Sequence, residues 1–325
     1  MNIEIITTPN EELKESGFGS LKSCNNVLEA IRKTEHNIKL NICTNKNDLL
    51  KIVKRKPDLV ILAVKYLSIK NEEDIWLSDF FAKKNINYTG SSFEVLKFDS
   101  DKVLAKLHLT KKGIKTARYF TAIPGQYKSK KDLPILFPLF LKPIDAANGN
   151  GIDDLSYVRN FTEFESKVLS LHETFNLPIL VEEYLDGKEF TVAVIETHNG
   201  VLSVSPIEIV PLVSTNGLRI LGHQAKKDDS EEFRKITDNN LIEKLKELAI
   251  ESYKGLGIRD FGRIDIKSNQ NGECFFMEAN LVPGMTKGSS YFPKACVNQS
   301  ELTYEKVIDL MISAGINRVP NYKTA

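Results

Sequence analysis

The chain opens with short apolar runs that alternate with segments of helical period. Residues 3–7 form a first short apolar run, 27–32 carry helix-like spacing, and 40–43 form a second short strand. Asp58-Leu59-Val60-Ile61-Leu62-Ala63-Val64 is apolar without a break, the pattern expected of a strand buried on both faces. A further helix is predicted over 75–84, and Asn87-Tyr88-Thr89-Gly90 ends in a turn. Strand and helix signals in alternation predict a small parallel α/β domain over residues 1–95.

The pattern then changes. Ser100 is placed to cap a helix carrying Val103, Leu104 and Leu107, with Gly113 as its stop. Pro138-Leu139-Phe140-Leu141-Lys142-Pro143 reads as a strand and runs into a glycine- and asparagine-rich loop, 146–151. Phe161, Phe164, Val168, Leu171 and Phe175 fall at helical spacing, with Asn160 and Glu163 as a capping-box-like start. Strands at 179–181 and 190–195 follow. These elements predict an α+β unit over 96–185 and a third unit over 186–325. The third holds a polar loop (214–230) and a helix with Leu241, Leu245, Leu248 and Ser252 on one face, ended by Gly255 and Gly257. Two strands, 262–267 and 274–280, are joined by the hairpin signal Asn269-Gln270-Asn271-Gly272. The fold class is α/β in the first unit and α+β beyond it.

A length of 325 residues exceeds a single small core and agrees with two or three sub-domains. Charge balances to +1, so nucleic acid is not an expected partner and charged ligands must be held by local groups. The 4 cysteines are scattered without CxxC spacing, as in a reduced intracellular protein. No basic leader and no apolar run of ~18 residues is present, so the expected location is the cytoplasm with no membrane contact.

Candidate chemistry lies on the last hairpin. Alternate residues of a strand share a face, so Arg263, Asp265 and Lys267 point one way on one strand and Glu278 and Asn280 one way on the next. The hairpin sets these faces side by side. Hard oxygen ligands of this kind suit Mg²⁺, which takes few carboxylates and completes its shell with phosphate oxygens. An Arg beside them can stabilise charge on a transferred phosphoryl group. Alternatively, the two faces are ordinary solvent-exposed charge.

Glu278-Ala279-Asn280-Leu281-Val282-Pro283-Gly284-Met285-Thr286, preceded by Gly262-Arg263-Ile264-Asp265, resembles the metal-binding end of the D-alanine–D-alanine ligases. The likeness runs with gaps from about Thr89 to Ala295. It implies an ATP-grasp fold behind an N-terminal parallel α/β domain, and an ATP-dependent carboxylate–amine ligase working through an acyl phosphate. By that resemblance Asp265, Glu278 and Asn280 hold two Mg²⁺ ions (or Mn²⁺), Glu278 bridges them, and Arg263 contacts the transferred phosphoryl group. Lys102 and Lys142 match the two phosphate-binding lysines, and the 146–151 loop matches the phosphate loop. In the segment 182–189, Glu182 accepts from the adenine amino group, backbone groups of Tyr184 and Leu185 read the adenine edge, and Glu189 holds ribose hydroxyls. The relatives are often dimers, which implies a homodimer.

The sequence also departs from the family. The N-terminal glycine-rich segment with its amine-binding Glu is replaced by Thr7-Thr8-Pro9-Asn10-Glu11-Glu12, where Glu11, Glu12 or Glu15 could substitute. The paired serines of the phosphate loop are replaced by Asn148-Gly149-Asn150, and the lid tyrosine segment by 214–220. Ser290 or Ser289 is the candidate for the second substrate's carboxylate, with one residue more than the usual spacing before it. The expectation is therefore a ligase of amino-acid-like substrates with altered specificity. The alternative is a non-catalytic nucleotide-binding regulator. A dinucleotide oxidoreductase is disfavoured because no GxGxxG follows the first strand. His223 reads first as a solvent-exposed loop residue and otherwise as a substrate contact, and Arg219, Lys226 and Lys227 read either as lid charges near phosphate or as a solvated face.

Overall fold

Gly17 shows how tightly the first unit is closed: a Cβ there would meet the Ala63 carbonyl oxygen at 1.8 Å. Only glycine lets this segment bridge to Val64 and donate from Phe18 N to Ala63 O at 2.9 Å. The structure is a computed structural model that describes residues 1–10, 17–146, 149–197, 200–213, 217–228 and 230–318. The candidates Glu11, Glu12 and Glu15, Asn148 of the phosphate loop and the start of the lid segment lie outside the described residues.

The first unit runs β1 (Asn2–Thr7), α1 (Leu21–Arg32), β2 (Asn37–Ile42), α2 (Lys46–Arg55), β3 (Leu59–Leu62), β4 (Tyr66–Leu67), β5 (Ile75–Trp76) and α3 (Leu77–Lys83). Strand order is β2-β1-β3, all parallel, with Ile5 opposite both Leu40 and Ile61. All four residues of β3 are buried, as its unbroken apolar run predicts. The helix predicted over 75–84 starts later than expected. Ile75 and Trp76 pair with Leu67 and Tyr66 instead, and the Trp76 ring packs against Tyr66 and Phe93 at 5.4 and 5.1 Å.

The second unit contains α4 (Phe93–Ser100), α5 (Lys102–Lys111), β6 (Tyr119–Ala122), β7 (Leu139–Pro143), β8 (Tyr157–Val158), α6 (Phe161–Phe175) and β9 (Ile179–Glu183). Ser100 ends α4 and does not cap α5. The cap is Asp101, extended at φ −130°, whose carboxylate accepts from Leu104 N at 2.9 Å. An acid one residue further on satisfies the free N–H groups and their positive dipole better than the serine does. Asn160 caps α6 as expected, accepting from Glu163 N at 3.0 Å while Glu163 accepts from Arg159 N. Phe164, Val168 and Leu171 then face the antiparallel sheet β6-β9-β7-β8.

The third unit contains β10 (Glu189–Glu196), β11 (Leu202–Val210), α7 (His223–Asp228), β12 (Glu232–Arg234), α8 (Asn239–Leu256), β13 (Phe261–Ser268), β14 (Cys274–Asn280), α9 (Tyr291–Ser300) and α10 (Tyr304–Asn317). Its sheet, β12-β11-β10-β13-β14, is antiparallel throughout. Gly255 lies inside α8, and the stop is Gly257 alone, left-handed at φ 73°. Period-2 alternation divides the sheet chemically. Phe190, Val192, Val194, Ile264 and Ile266 form a core with Leu245, Leu248 and Ala249 of α8. Glu189, Thr191, Arg263, Asp265 and Lys267 are in register on the opposite face. α10 returns to the first unit, burying Val307, Ile308, Met311 and Ile312 in the same cluster as Ile5 and Ile61. No helix among the described residues is long and apolar enough to cross a membrane.

Candidate active site

Strand register builds the centre of the site. Arg263 stands opposite Asn280 and Asp265 opposite Glu278, as the hairpin alternation predicts. Register slips between Asp265 and Ile266, a β-bulge that leaves Met277 without a partner, and Met277 and Glu278 both line the same cleft. Arg263 grips Asp265 with two bonds, Nε to Oδ1 at 3.0 Å and Nη2 to Oδ2 at 2.9 Å. Thr191 Oγ1 donates to Asp265 Oδ1 at 2.6 Å and Asn280 Nδ2 to Oδ2 at 3.2 Å. With its nitrogen turned to Asp265, Asn280 presents its carbonyl oxygen to the other side.

Cations from separate elements surround Glu278. Lys102 Nζ lies 3.7 Å from its Oε2 and donates to Ala146 O at 2.7 Å. Burial works against the Glu278 carboxylate, but Lys102, Lys226, Lys142 and Arg263 outweigh it and hold the pKa at about 2. Glu278 is therefore an ionised oxygen donor at neutral pH. Behind the lysines lies a fully buried chain: Lys106 Nζ to Glu182 Oε1 at 2.5 Å and Lys142 Nζ to Glu182 Oε2 at 2.8 Å. Burial opposes the Glu182 charge, and its two lysines more than offset this; Lys142 in turn is raised by Glu182 and Glu278 against its own burial. Lys106 also donates to Phe276 O at 3.3 Å, which ties the second unit to β14.

The remaining predicted residues flank this centre. Glu189 pairs with Lys267 at 2.5 Å, and Lys267 stands 5.7 Å from the Tyr184 ring. Leu185 is buried. Lys142, Glu189, Lys226, Asp265, Met277 and Glu278 share one cleft whose apolar wall includes Phe140 and Ile209. Ser290 precedes α9, and its Oγ accepts from Thr286 N at 2.9 Å. Ser289 lies on the same turn, its N–H bonded to Thr286 O. The next residue, Tyr291, places its ring 5.3 Å from the Arg263 guanidinium, so this turn adjoins the centre.

Two contributors, Lys106 and Thr191, escaped the sequence reading, and a third, Lys226, is left open by it. Lys226, readable from sequence as a lid charge near phosphate or as a solvated face, lines the cleft and acts on Glu278. Lys106 is four residues from Lys102 on one helix, a spacing that places both on one face and could have flagged it. Thr191 gives no chain-level signal. The 149–151 stretch packs on the lid: His223 N donates to Ile152 O at 3.2 Å, and a Cβ on Gly222 would meet that same oxygen at 2.6 Å.

Among the described residues no cluster of three or more His, Cys, Asp or Glu forms a closed metal cage. Two carboxylates and one amide oxygen nevertheless fit a hard divalent cation that takes its other ligands from phosphate. A phosphate-sized anion is matched by the convergent lysines. Fold and site together define an ATP-grasp ligase.

The family model "D-ala D-ala ligase C-terminus" matches residues 109–313, so the chain belongs to the D-alanine–D-alanine ligase family. It is 27% identical over 298 residues to a D-alanine–D-alanine ligase of Aquifex aeolicus, covering 90% of this chain and 94% of the relative. It is 30% identical over 205 residues to one from Marinomonas, covering 62% and 61%. Among solved structures, the Bacillus anthracis D-alanine–D-alanine ligase complexed with ATP superposes with TM-score 0.74 at 22% identity, covering 98% of each chain. The VanG D-Ala:D-Ser ligase of Enterococcus faecalis gives 0.72 at 22% identity, covering 97% of this chain and 99% of that one.

Proposed function

We propose that this ADP-forming ligase joins two amino-acid-like substrates by an amide bond, with a specificity that is not confined to D-alanine. The observation that carries the reading is the convergence of Arg263, Asp265, Glu278 and Asn280 by strand register with Lys102, Lys142 and Lys226 from three other segments. The substrate carboxylate attacks the γ-phosphorus of ATP, ADP leaves, and an acyl phosphate forms. The amine attacks the acyl carbon, phosphate leaves, and the amine proton passes to solvent or a nearby base. Lys102, Lys142 and Lys226 hold phosphate oxygens. Arg263, fixed in orientation by Asp265, faces the charge that develops on transfer.

Asp265, Glu278 and Asn280 would hold two Mg²⁺ ions, or Mn²⁺, which when bound screen the transferring phosphoryl group. Glu182, 1% exposed and held by two lysines, acts first by fixing Lys142. Tyr184 and Leu185 supply backbone groups to the adenine edge, and Glu189 meets the ribose hydroxyls. Ser289 or Ser290 receives the second substrate's carboxylate. The relatives' names support D-alanine as one candidate substrate. The replaced amine-binding segment, phosphate-loop serines and lid support a different pair. Phosphate release against a panel of D- and L-amino acids tests this, and D-alanine as the sole active substrate would sink the altered specificity. A homodimer is the proposed assembly, to be checked by light scattering.

A further inference from the structure

The strand that carries Glu278 and Asn280 is not held at its C-terminal end by the sheet. The β13–β14 ladder stops at the pair Arg263–Asn280. Beyond that pair a carboxylate takes the place of a neighbouring strand. Asp99 Oδ2, from the last turn of α4, accepts from Leu281 N at 2.7 Å and from Val282 N at 3.4 Å. Residue 283 is proline and has no N–H to offer. Leu281 is fully buried, so its N–H needs an acceptor from the protein.

The other oxygen of Asp99 faces the first unit. Lys65, just past β3, donates from Nζ to Asp99 Oδ1 at 3.1 Å and to Ser100 Oγ at 3.5 Å. The pair is largely shut from water, with side chains 8% and 13% exposed. One carboxylate thus joins all three units: Lys65 from the first, α4 from the second and the end of β14 from the third. A buried ion pair is a poor source of stability, because desolvation offsets the attraction. Its place in the chain points to another use. Asp99 lies three residues before Lys102, with Ser100 and the α5 cap Asp101 between them. The two amides it holds directly follow Asn280. Lys102 Nζ stands 3.7 Å from Glu278 Oε2, and Glu278 and Asp99 both act on the Lys102 ammonium.

We propose that Asp99, held by Lys65, is a positioning residue for the Mg-nucleotide centre, fixing the strand end that bears Asn280 against the helix start that bears Lys102. This rests on the ligase reading above for the roles of Asn280 and Lys102. Asp99 acts through these residues and not on the nucleotide itself. Without it, Leu281 keeps its place in the core, but the tie that sets β14 relative to α5 is lost.

The test compares wild type with Asp99→Ala, Asp99→Asn and Lys65→Met. The quantities read are the Mg²⁺ activation constant, the KM for ATP, the KM for each amino acid and the melting temperature. Asp99→Ala is expected to raise the Mg²⁺ constant and the KM for ATP about 10-fold or more, with amino-acid KM values within about 2-fold of wild type. Asp99→Asn should fall between the two proteins, since its amide oxygen still accepts from Leu281 N but carries no charge for Lys65. Lys65→Met should move the same two constants in the same direction by several-fold. Mg²⁺ and ATP constants within about 2-fold of wild type in Asp99→Ala, whatever the melt does, overturn the proposal, as does an equal rise in the amino-acid KM. Should Asp99→Ala not fold, Asp99→Asn carries the test, and unchanged Mg²⁺ and ATP constants in it refute the role. Calorimetric binding of ADP across a Mg²⁺ titration separates this from the ligase reading. Mg-dependent ADP binding weakened about 10-fold in Asp99→Ala, with no turnover by wild type, would retain the positioning role and remove the ligase. Equal ADP binding by both proteins would remove the positioning role alone.

Discussion

Replacing Glu278 by Gln keeps the shape of the side chain and removes a charge on which four cations act. In the folded protein its pKa falls from 4.5 to about 2. At about 1.4 kcal/mol per pH unit this favours the ionised form by roughly 3 kcal/mol. The folded pKa is the depressed one, so this stability is present above about pH 4.5 and is lost as pH falls toward 2. Glutamine behaves as a permanently protonated glutamate. Without nucleotide the variant should therefore lose roughly 3 kcal/mol at neutral pH, and much less near pH 2–3. Total stabilities of about 5–15 kcal/mol leave the fold intact after such a loss. Catalysis should suffer more, since a proposed bridging metal ligand is gone; phosphate release should fall by at least about 10³-fold. Thermal melts across pH 3–8 and a coupled phosphate assay read the two effects. An unchanged melt at neutral pH would refute the cation ring around Glu278, and near-normal turnover would remove its metal assignment.

Other substitutions probe separate links. Lys106→Met strips Glu182 of one of its two buried partners; it should cost about 3–5 kcal/mol in denaturant titration and raise the KM for ATP as Lys142 loses its anchor. Arg263→Lys loses the two-point grip on Asp265 and should lower kcat about 10²–10³-fold with little change in melting temperature; a fall below tenfold would contradict its role. Gly222→Ala would push a methyl group to 2.6 Å from Ile152 O and separate the lid from the 149–151 loop. Its kcat should drop while the melt barely moves, and unchanged kinetics would show that the contact is not needed.

Local pattern made the central hairpin legible. Arg263, Asp265, Glu278 and Asn280 follow from period-2 alternation and the turn at Asn269-Gln270-Asn271-Gly272, and no distant contact has to be known to place them. The cap of α6 was equally local, needing only Asn160 and Glu163. Misreadings arose where neighbouring signals competed. Ser100 and Asp101 are both capping residues, and the carboxylate won. Trp76 has helical context but is held in a short strand by packing against Tyr66 and Phe93. The Glu182–Lys106–Lys142 chain joins segments far apart in sequence, and single-strand or single-helix periodicity carries no trace of it. Lys226 reads from sequence either as a lid charge near phosphate or as a solvated face, because only folding brings it into one cleft with Met277 and Glu278. The amine-binding end is the least legible part, since its expected motif is replaced and the candidates Glu11, Glu12 and Glu15 lie outside the described residues.

The central claim is that this site makes an acyl phosphate from an amino-acid carboxylate and ATP. Hydroxylamine trapping tests it most directly, because hydroxylamine intercepts an acyl phosphate as a hydroxamate before the amine substrate can. Wild-type enzyme with Mg-ATP and an active amino acid should release ADP and form a matching hydroxamate, both dependent on that amino acid and both lost in Glu278→Gln. ATP bound without turnover across the full D- and L-amino-acid panel, or ADP released with no hydroxamate, would contradict the account.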